Sequence, residues 1–311
     1  MGHPGVETIA EFLAGSGLTT GTIDEQRGAM AATASAAPPP DGVNVRPGRL
    51  GGCPAEWLTP EGAVPGAVVL YLHGGGYCTG SLDSHRGLAG RIALASGCAV
   101  ATLEYRLAPE HRFPAAVDDA TAAYGELLAS GIRPERIAVA GDSAGGGLTV
   151  ATLLALRAGG SPLPGAAVCL SPWVDLTQSS PSYTELADVD PMVSKSGLDE
   201  MAGAYLGGTD PRQPLASPLF AEDLGGLPPV HIEVGAREVL LDDATRLAGR
   251  IRDAGGRADL TVWPELIHVF QAFPGPLVPE ADESIAAVGT FLAGRLRTAG
   301  GSPGARPTDT H

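Results

Sequence analysis

Residues 137–147, with the sequence IAVAGDSAGGG, constrain the fold more than any other part of the chain. Residues 137–140 are apolar throughout, as expected of a parallel strand that is covered on both faces. Residues 148–156 are too long and too apolar for a turn, so they are predicted to continue as a buried helix. Between them, residues 141–145 match G-x-S-x-G, in which the glycines make room for a tight turn. The stretch therefore predicts a strand, a sharp turn with Ser143 at its apex, and a helix.

A serine at such an apex needs a base to take its proton and a group to hold negative charge. Ala144 opens the predicted helix, so its free backbone N–H is the first candidate for stabilising that charge. His268 is the candidate base, because it follows the predicted strand 260–263 after a short loop and so lies at the same sheet edge as Ser143. A loop histidine with structural contacts only is the alternative interpretation. The remaining histidines are terminal, lie within a strand or are predicted to be structural: His3, His73, His85, His111, His231 and His311.

A run of glycines, Gly74 to Gly76, follows His73 at the end of the predicted buried strand 67–72. Three glycines in succession let the backbone turn its N–H groups toward a small anion. A tight loop is one interpretation of the run, and an oxyanion hole is the other. Binding of a nucleotide phosphate is less well supported, because neither G-x-G-x-x-G nor G-K-[ST] follows.

Strands and helices alternate along most of the chain, which predicts a mostly parallel sheet with helices on both faces. The predicted strands are residues 43–45 and 55–58 at the sheet edge, followed by 67–72, 99–103, 136–140, 166–170, 230–234 and 260–263. The predicted helices are residues 6–14, 23–36, 84–96, 114–130, 148–156, 198–206, 243–254 and 280–296.

The alternation breaks at about residue 175, where a Pro/Ser/Asp-rich stretch begins. We interpret that stretch as an insertion over the carboxyl edge of the sheet, where it could pack with the N-terminal residues as one cap. The predicted organisation is an N-terminal cap segment (1–45), a first part of the core (46–175), a cap insertion (176–217), a second part of the core (218–299) and a disordered tail (300–311).

Composition argues against several classes of partner. The formal net charge is −15 and Lys195 is the single lysine, so basic patches for nucleic acid or an anionic membrane are not expected. No apolar run reaches the ~18 residues that a transmembrane helix needs, and no signal peptide is visible. The four cysteines lack metal-ligand spacing, which favours reduced thiols and a cytoplasmic location. A homodimer remains open.

Several motifs occur together in one order, and together they resemble the hormone-sensitive lipase family of α/β-hydrolases in its bacterial esterase branch. The resemblance runs from about residue 20 to residue 297. The motifs are HGGG at 73–76, YRLAPEH at 105–111, FPAA at 113–116, GDSAGG at 141–146, SPW at 171–173, DP at 190–191 and IH at 267–268.

The resemblance implies an α/β-hydrolase fold with a small helical cap and the activity of a serine carboxylesterase. It implies Ser143 as nucleophile, His268 as base, and oxyanion donors from Gly75, Gly76 and Ala144. It also implies an apolar pocket for a short or medium acyl group, with lactones as a variant. The expected partner is a small-molecule ester, and neither a cofactor nor a metal is expected.

The acid that should orient the histidine is open between two carboxylates. The family pattern is an acid, then leucine two residues on, then another acid four residues on. Glu238, Leu240 and Asp242 fit that register, although the family usually has aspartate in the first place. Glu238 is the preferred acid and Asp242 the alternative. Asp242 or Asp243 is otherwise expected to begin the following helix and to cap its free N–H groups.

Two other functions share the fold and stay open. Plant gibberellin receptors resemble the family but lack the catalytic histidine, so a ligand-binding protein is one alternative. Amide hydrolysis or acyl transfer is the second. Both His268 and an acid in the expected register are present here, which favours the esterase.

Overall fold

The computed structural model describes residues 3–34, 38–273 and 275–298. These residues form an eight-stranded sheet with helices packed on both of its faces. The predicted tail at 300–311 and the end of the helix predicted over 23–36 lie outside the described residues.

The strands are ordered β1-β2-β4-β3-β5-β6-β7-β8 across the sheet. The first two form an antiparallel hairpin, β2 also pairs antiparallel with β4, and the strands from β3 to β8 run parallel. Their bounds are β1 Val43–Leu50, β2 Cys53–Pro60, β3 Val68–Leu72, β4 Ala99–Leu103, β5 Ile137–Asp142, β6 Ala166–Leu170, β7 Val230–Gly235 and β8 Ala258–Trp263. The prediction of two short edge strands was wrong, because β2 is an inner strand and only β1 lies at that edge.

The part of the chain that the structure describes contains nine α-helices, of which α1 and α2 precede the first strand and α9 follows the last. Their bounds are α1 Pro4–Ser16, α2 Ile23–Thr33, α3 Leu82–Ser96, α4 Ala115–Ala129, α5 Ala144–Ala158, α6 Ser182–Glu185, α7 Lys195–Leu206, α8 Leu241–Asp253 and α9 Pro279–Thr298. The predicted helices are confirmed within a few residues, and α6 is the one that the sequence did not reveal. Its four residues are too few to show a helical period.

The strands are buried on both faces, so successive side chains enter two different cores. Leu70 and Leu72 of β3 pack with α4 and α5 on one face. Val69 and Tyr71 pack with α3 and α9 on the other. This two-sided burial explains why the parallel strands appear in the sequence as continuous apolar runs.

The register brings the carboxyl ends of the parallel strands to one edge. Leu72 of β3 lies opposite Gly141 of β5, and Asp142 lies opposite Leu170 of β6. On the far side, Gly235 of β7 lies opposite Trp263 of β8. The loops after these strands therefore meet at the same edge, and they carry the predicted functional residues.

Candidate active site

The turn between β5 and α5 holds Ser143 in a conformation that L-residues rarely adopt, with φ 54° and ψ −122°. The neighbouring glycines explain how the turn fits. A Cβ atom on Gly141 would collide with the carbonyl of Gly145, and one on Gly145 would collide with the carbonyl of Leu72. Ser143 itself is anchored by its N–H, which donates to the carbonyl oxygen of Leu170 at 2.8 Å. The predicted strand, turn and helix are therefore confirmed.

The glycine run lies directly beside this turn. A Cβ atom on Gly74 would lie 3.1 Å from the Cβ of Ser143, so the two loops touch at that point. Gly75 and Gly76 have φ values of 110° and 60°, which only glycine adopts without strain. Among the residues that the structure describes, no acceptor is bonded to the N–H of Gly75 or Gly76. Ala144 is the first residue of α5, where an N–H has no partner within its own helix.

His268 lies after β8 and contacts a carboxylate. Its Nδ1 is 2.6 Å from Oε2 of Glu238, and both side chains are buried, at 4% and 0% exposure. Burial is the largest single effect on His268 and lowers its pKa, but the charge and hydrogen bond of Glu238 together with the charges of Asp190 and Asp142 make the net shift upward. This contact leaves Nε2 as the ring nitrogen for a second partner. The sequence had left the acid open, and the structure brings Glu238 to the histidine.

The second oxygen of Glu238 is also held, by groups to which the sequence analysis gave no role. Oε1 accepts hydrogen bonds from the hydroxyl of Ser171 at 2.7 Å and from the N–H of Gly235 at 2.6 Å. The same Ser171 hydroxyl accepts the N–H of Val269 at 3.1 Å. Ser171 thus ties the acid to the histidine loop. The sequence held one indication of this role: Ser171 directly follows the apolar run of strand β6, so it had to lie at the carboxyl edge of the sheet near Ser143.

The prediction that Asp242 or Asp243 caps the next helix was wrong. Helix α8 follows Leu240, and no side-chain hydrogen bond caps it. Asp242 instead accepts the N–H of Ser182 at 3.0 Å. Asp243 accepts the backbone N–H groups of Val174 and Asp175 and the hydroxyl of Tyr183. Both carboxylates face backbone donors of the segment after β6, because that segment crosses over the start of α8.

Residues of the two segments that were predicted to form a cap pack against both halves of the site. Val6, Ile9 and Leu13 of α1 form a cluster with hydrophobic residues of the loop that carries His268. In α7, Met201 lies so close to Gly76 that a Cβ there would collide with its sulfur. The division of the chain into cap and core segments stays a prediction, but these contacts fix what covers the site.

One further contact joins the N-terminal helices to the oxyanion side. Arg27 of α2 donates to the carbonyl oxygens of Cys78 and Ala108, each at 2.8 Å, and pairs with Glu110.

His73 is structural as predicted: it stacks on Tyr105 at 4.3 Å between ring centroids. Burial and the neighbouring His85 lower the pKa of His73 to about 3.

Within the described ranges, no group of three or more His, Cys, Asp or Glu side chains is arranged to hold a metal ion. None of the helices in the described part of the chain combines the length and apolar character needed to cross a membrane.

Comparison with known proteins agrees with this geometry. A family model of the alpha/beta hydrolase fold matches residues 69–272. An acetyl-hydrolase of Streptomyces hygroscopicus is 48% identical over 255 residues, which cover 82% of this chain and 83% of that protein. A crystal structure of an esterase from the bacterial hormone-sensitive lipase family superposes with a TM-score of 0.90 at 46% identity, covering 94% of this chain and 98% of that one. The structure of the esterase EstE5 soaked with p-nitrophenyl butyrate gives 0.89 at 41% identity, with 94% and 99% coverage.

Proposed function

Because the chain belongs to the hormone-sensitive lipase family of α/β-hydrolases and is a carboxylesterase, we propose that it cleaves short- to medium-chain esters with Ser143, His268 and Glu238. The observation that carries this proposal is the buried 2.6 Å contact between His268 Nδ1 and Glu238 Oε2, at the sheet edge where Ser143 stands. A nucleophile in a strained turn and a histidine oriented by a carboxylate are the parts that acyl transfer to serine requires.

In the proposed first step, the Ser143 hydroxyl attacks the ester carbonyl while Nε2 of His268 takes its proton. The imidazolium that forms carries its positive charge beside Glu238. It then gives the proton to the leaving alcohol, and an acyl-serine remains. A water molecule, deprotonated by the same Nε2, attacks the acyl-serine and releases the carboxylic acid and free Ser143.

The negative oxygen of each tetrahedral intermediate would be held by the N–H groups of Gly75, Gly76 and Ala144. Two of these donors have no acceptor in the described part of the chain, and the third opens helix α5. Donors fixed before the reaction stabilise developing charge without reorganisation, and loss of one such donor typically costs about 10²- to 10³-fold in rate.

The cover over the site supports the proposed substrate class. Met201 packs onto Gly76, one of the proposed oxyanion donors, so its side chain would border the acyl group of a bound ester. The similarity to an acetyl-hydrolase supports short acyl groups, and EstE5 was soaked with a butyrate ester. Lactones are a variant, because the same attack opens a cyclic ester.

A panel of p-nitrophenyl esters with increasing acyl length tests the proposal. We expect kcat/KM to be highest for acyl chains of about C2 to C8, and Ser143→Ala to lose about 10⁶-fold in kcat. A Ser143→Ala enzyme within tenfold of the wild type would overturn the assignment of the nucleophile. Thr149→Ala, which removes a buried hydroxyl in the same helix, is the matched control.

A ligand-binding protein and an amidase or acyltransferase are the alternatives. Binding of an ester without turnover would favour the first. Faster release of amine from an anilide than of alcohol from the matching ester, or transfer of the acyl group to an added alcohol in preference to water, would favour the second.

We retain a cytoplasmic location as part of the proposal. Its support is that all four cysteines are free and buried. Fractionation of the producing cells with an antibody to this chain tests it, and recovery outside the cytoplasm would overturn it.

A further inference from the structure

A buried carboxylate lies beneath the point where the nucleophile turn meets the glycine run. Asp142, the residue before Ser143, is 3% exposed. Its Oδ1 accepts the hydroxyl of Tyr71 at 2.6 Å and the N–H of Gly74 at 3.2 Å. A Cβ atom on Gly74 would collide with Oδ2 of the same carboxylate. Asp142 thus connects the residue before the nucleophile to the first residue of the glycine run.

His85 of α3 is the third partner of this carboxylate. Its Nε2 lies 3.3 Å from Asp142 Oδ2 and 3.3 Å from the nitrogen of Gly74. Its Nδ1 lies 2.8 Å from the hydroxyl oxygen of Ser84, and that hydroxyl donates to the carbonyl of Ser81. In the cationic ring Nδ1 donates to this hydroxyl oxygen, whereas in the neutral ring that has its proton on Nε2 the hydroxyl donates to Nδ1.

The state of the other nitrogen decides how Gly74 is held. With a proton on Nε2, His85 donates to Asp142 Oδ2, and the N–H of Gly74 donates to Oδ1 alone. Without that proton, the lone pair of Nε2 faces the carboxylate and competes with it for the N–H of Gly74. The cluster therefore requires a proton on Nε2, which both the cationic ring and the neutral Nε2–H tautomer carry, and the buried Asp142 carboxylate 3.3 Å away favours the cation.

The surrounding groups favour the protonated ring. Burial and the neighbouring His85 lower the pKa of His73 to about 3, and burial raises the pKa of Tyr71 far above its usual value, so both are neutral. Burial opposes the charge on His85, but the charge and hydrogen bond of Asp142, a hydrogen bond to the Ser81 backbone and the charge of Glu104 together raise its pKa. Burial opposes the charge on Asp142, but His85 outweighs it and the net shift is downward.

A charge at Asp142 matters for catalysis because of where it lies. The intermediate would carry its negative oxygen beside Ser143, within reach of the N–H groups that follow Gly74. A carboxylate one residue away opposes that oxygen, since like charges at short range in a poorly solvated site repel strongly. A cation held against the carboxylate removes the opposition.

We propose that His85 is a positioning residue for the oxyanion donors, acting as an imidazolium that holds Asp142 and Gly74 in place and neutralises Asp142 beside the intermediate. This inference rests on the proposed esterase function. It concerns kcat rather than KM, because the opposing charge matters most when the oxyanion forms.

The pH dependence of kcat separates this role from a structural one. In the wild type, kcat should fall with rising pH as His85 loses its proton, in a step separate from the ionisation that activates His268. His85→Gln keeps a donor toward Asp142 but removes the charge. We expect it to lower kcat about tenfold at neutral pH, less than loss of a whole oxyanion donor, with KM changed less than twofold and the alkaline fall absent.

A double variant tests the charge directly. His85→Gln combined with Asp142→Asn leaves neither the cation nor the carboxylate, so it should lose less in kcat than the product of the two single losses. His111→Gln, an exposed histidine outside this cluster, is the matched control and should keep the wild-type profile.

Some outcomes would overturn the role of His85 and leave the esterase intact. They are a wild-type kcat with no alkaline fall at any pH at which the enzyme stays folded, a His85→Gln enzyme that keeps the alkaline fall, and strictly multiplicative losses in the double variant. The first needs no variant and holds even if His85→Gln does not fold. Ser143→Ala in the same assay distinguishes failure of the role of His85 from failure of the proposed esterase function, because activity in that variant would overturn the esterase function itself.

Discussion

His268 and Glu238 are joined by a 2.6 Å contact between Nδ1 and Oε2, although the two residues are 30 positions apart in the sequence. The contact exists because β7 and β8 are parallel neighbours, so the loops that follow them leave the same edge. It holds the ring in one orientation and directs the other ring nitrogen away from the acid. The family usually has the shorter aspartate in this position, but the Glu238 carboxylate also reaches the imidazole.

The first prediction concerns the charge of Glu238. Glu238→Gln keeps the shape of the side chain but removes the negative charge that stabilises the imidazolium, and it can favour the wrong tautomer of His268. We expect kcat to fall about 10²- to 10⁴-fold, the upper figure being the cost of the equivalent amide substitution in a known triad. Steady-state kinetics on p-nitrophenyl butyrate measure the loss.

Asp242→Asn is the matched control for that experiment. Asp242 accepts the N–H of Ser182 and does not contact the histidine, so its variant should lose roughly 1 kcal/mol of stability and keep a near-normal rate. If Asp242→Asn carried the rate defect and Glu238→Gln did not, the acid would be Asp242.

A second prediction concerns the acid limb of the pH profile. Attack requires a neutral His268, so on the acid side kcat/KM should rise as His268 loses its proton, ahead of the alkaline fall assigned to His85. Burial lowers the pKa of His268, but Glu238 together with Asp190 and Asp142 makes the net shift upward, so the midpoint should lie above the ordinary value of 6.5. In Glu238→Gln the remaining activity should show a midpoint at lower pH. An unchanged or higher midpoint in that variant would mean that Glu238 does not act on the activating group.

The third prediction concerns Ser171, which bonds both the acid and the histidine loop. Ser171→Ala removes one donor to Glu238 and leaves the N–H of Val269 without its acceptor. We expect kcat to fall about tenfold, which corresponds to roughly one hydrogen bond.

Ser96→Ala is a suitable comparison for Ser171→Ala, because Ser96 is equally buried and its hydroxyl also donates one hydrogen bond and accepts another. It lies at the end of α3, so it should affect melting temperature and not rate. Equal rates for the two variants would show that Ser171 serves folding alone.

The fourth prediction concerns acyl length. Soluble esters with acyl chains of about C2 to C8 should be hydrolysed faster than emulsified long-chain triglycerides, because α7 covers the oxyanion side. Met201→Ala should extend the preferred length by removing the sulfur that packs on Gly76. The ratio of kcat/KM for octanoate to acetate esters measures this. Faster hydrolysis of emulsified fat than of short esters by the wild type would refute the prediction.

The alternation of apolar strands and helices was enough to predict the parallel sheet, because burial on both faces leaves continuous apolar runs in the sequence. The turn at Ser143 was predictable for a different reason. The backbone passes so close to its flanking glycines that no side chain fits there, and the glycines are visible in the local sequence.

Contacts between distant segments were less accessible. The register around Glu238 depends on which side chain β7 and β8 bring to His268, and spacing alone left Asp242 open. The link through Ser171 and the role of Asp242 toward Ser182 arise from loops that cross over one another. When a polar residue follows a predicted strand, the sequence shows that it lies at the carboxyl edge of the sheet, but not which partner it contacts there.

Covalent trapping tests the central claim most directly. The enzyme would be treated with an aryl phosphonate ester. An activated serine oxygen forms a bond to its phosphorus while the aryl group leaves as the phenol, and mass spectrometry of peptides locates the phosphonyl adduct. We predict stoichiometric modification of Ser143 with parallel loss of esterase activity, and no adduct in Ser143→Ala. Slow labelling in Glu238→Gln would follow from the same mechanism. Modification of a different residue with loss of activity, or full activity with Ser143 modified, would contradict the account.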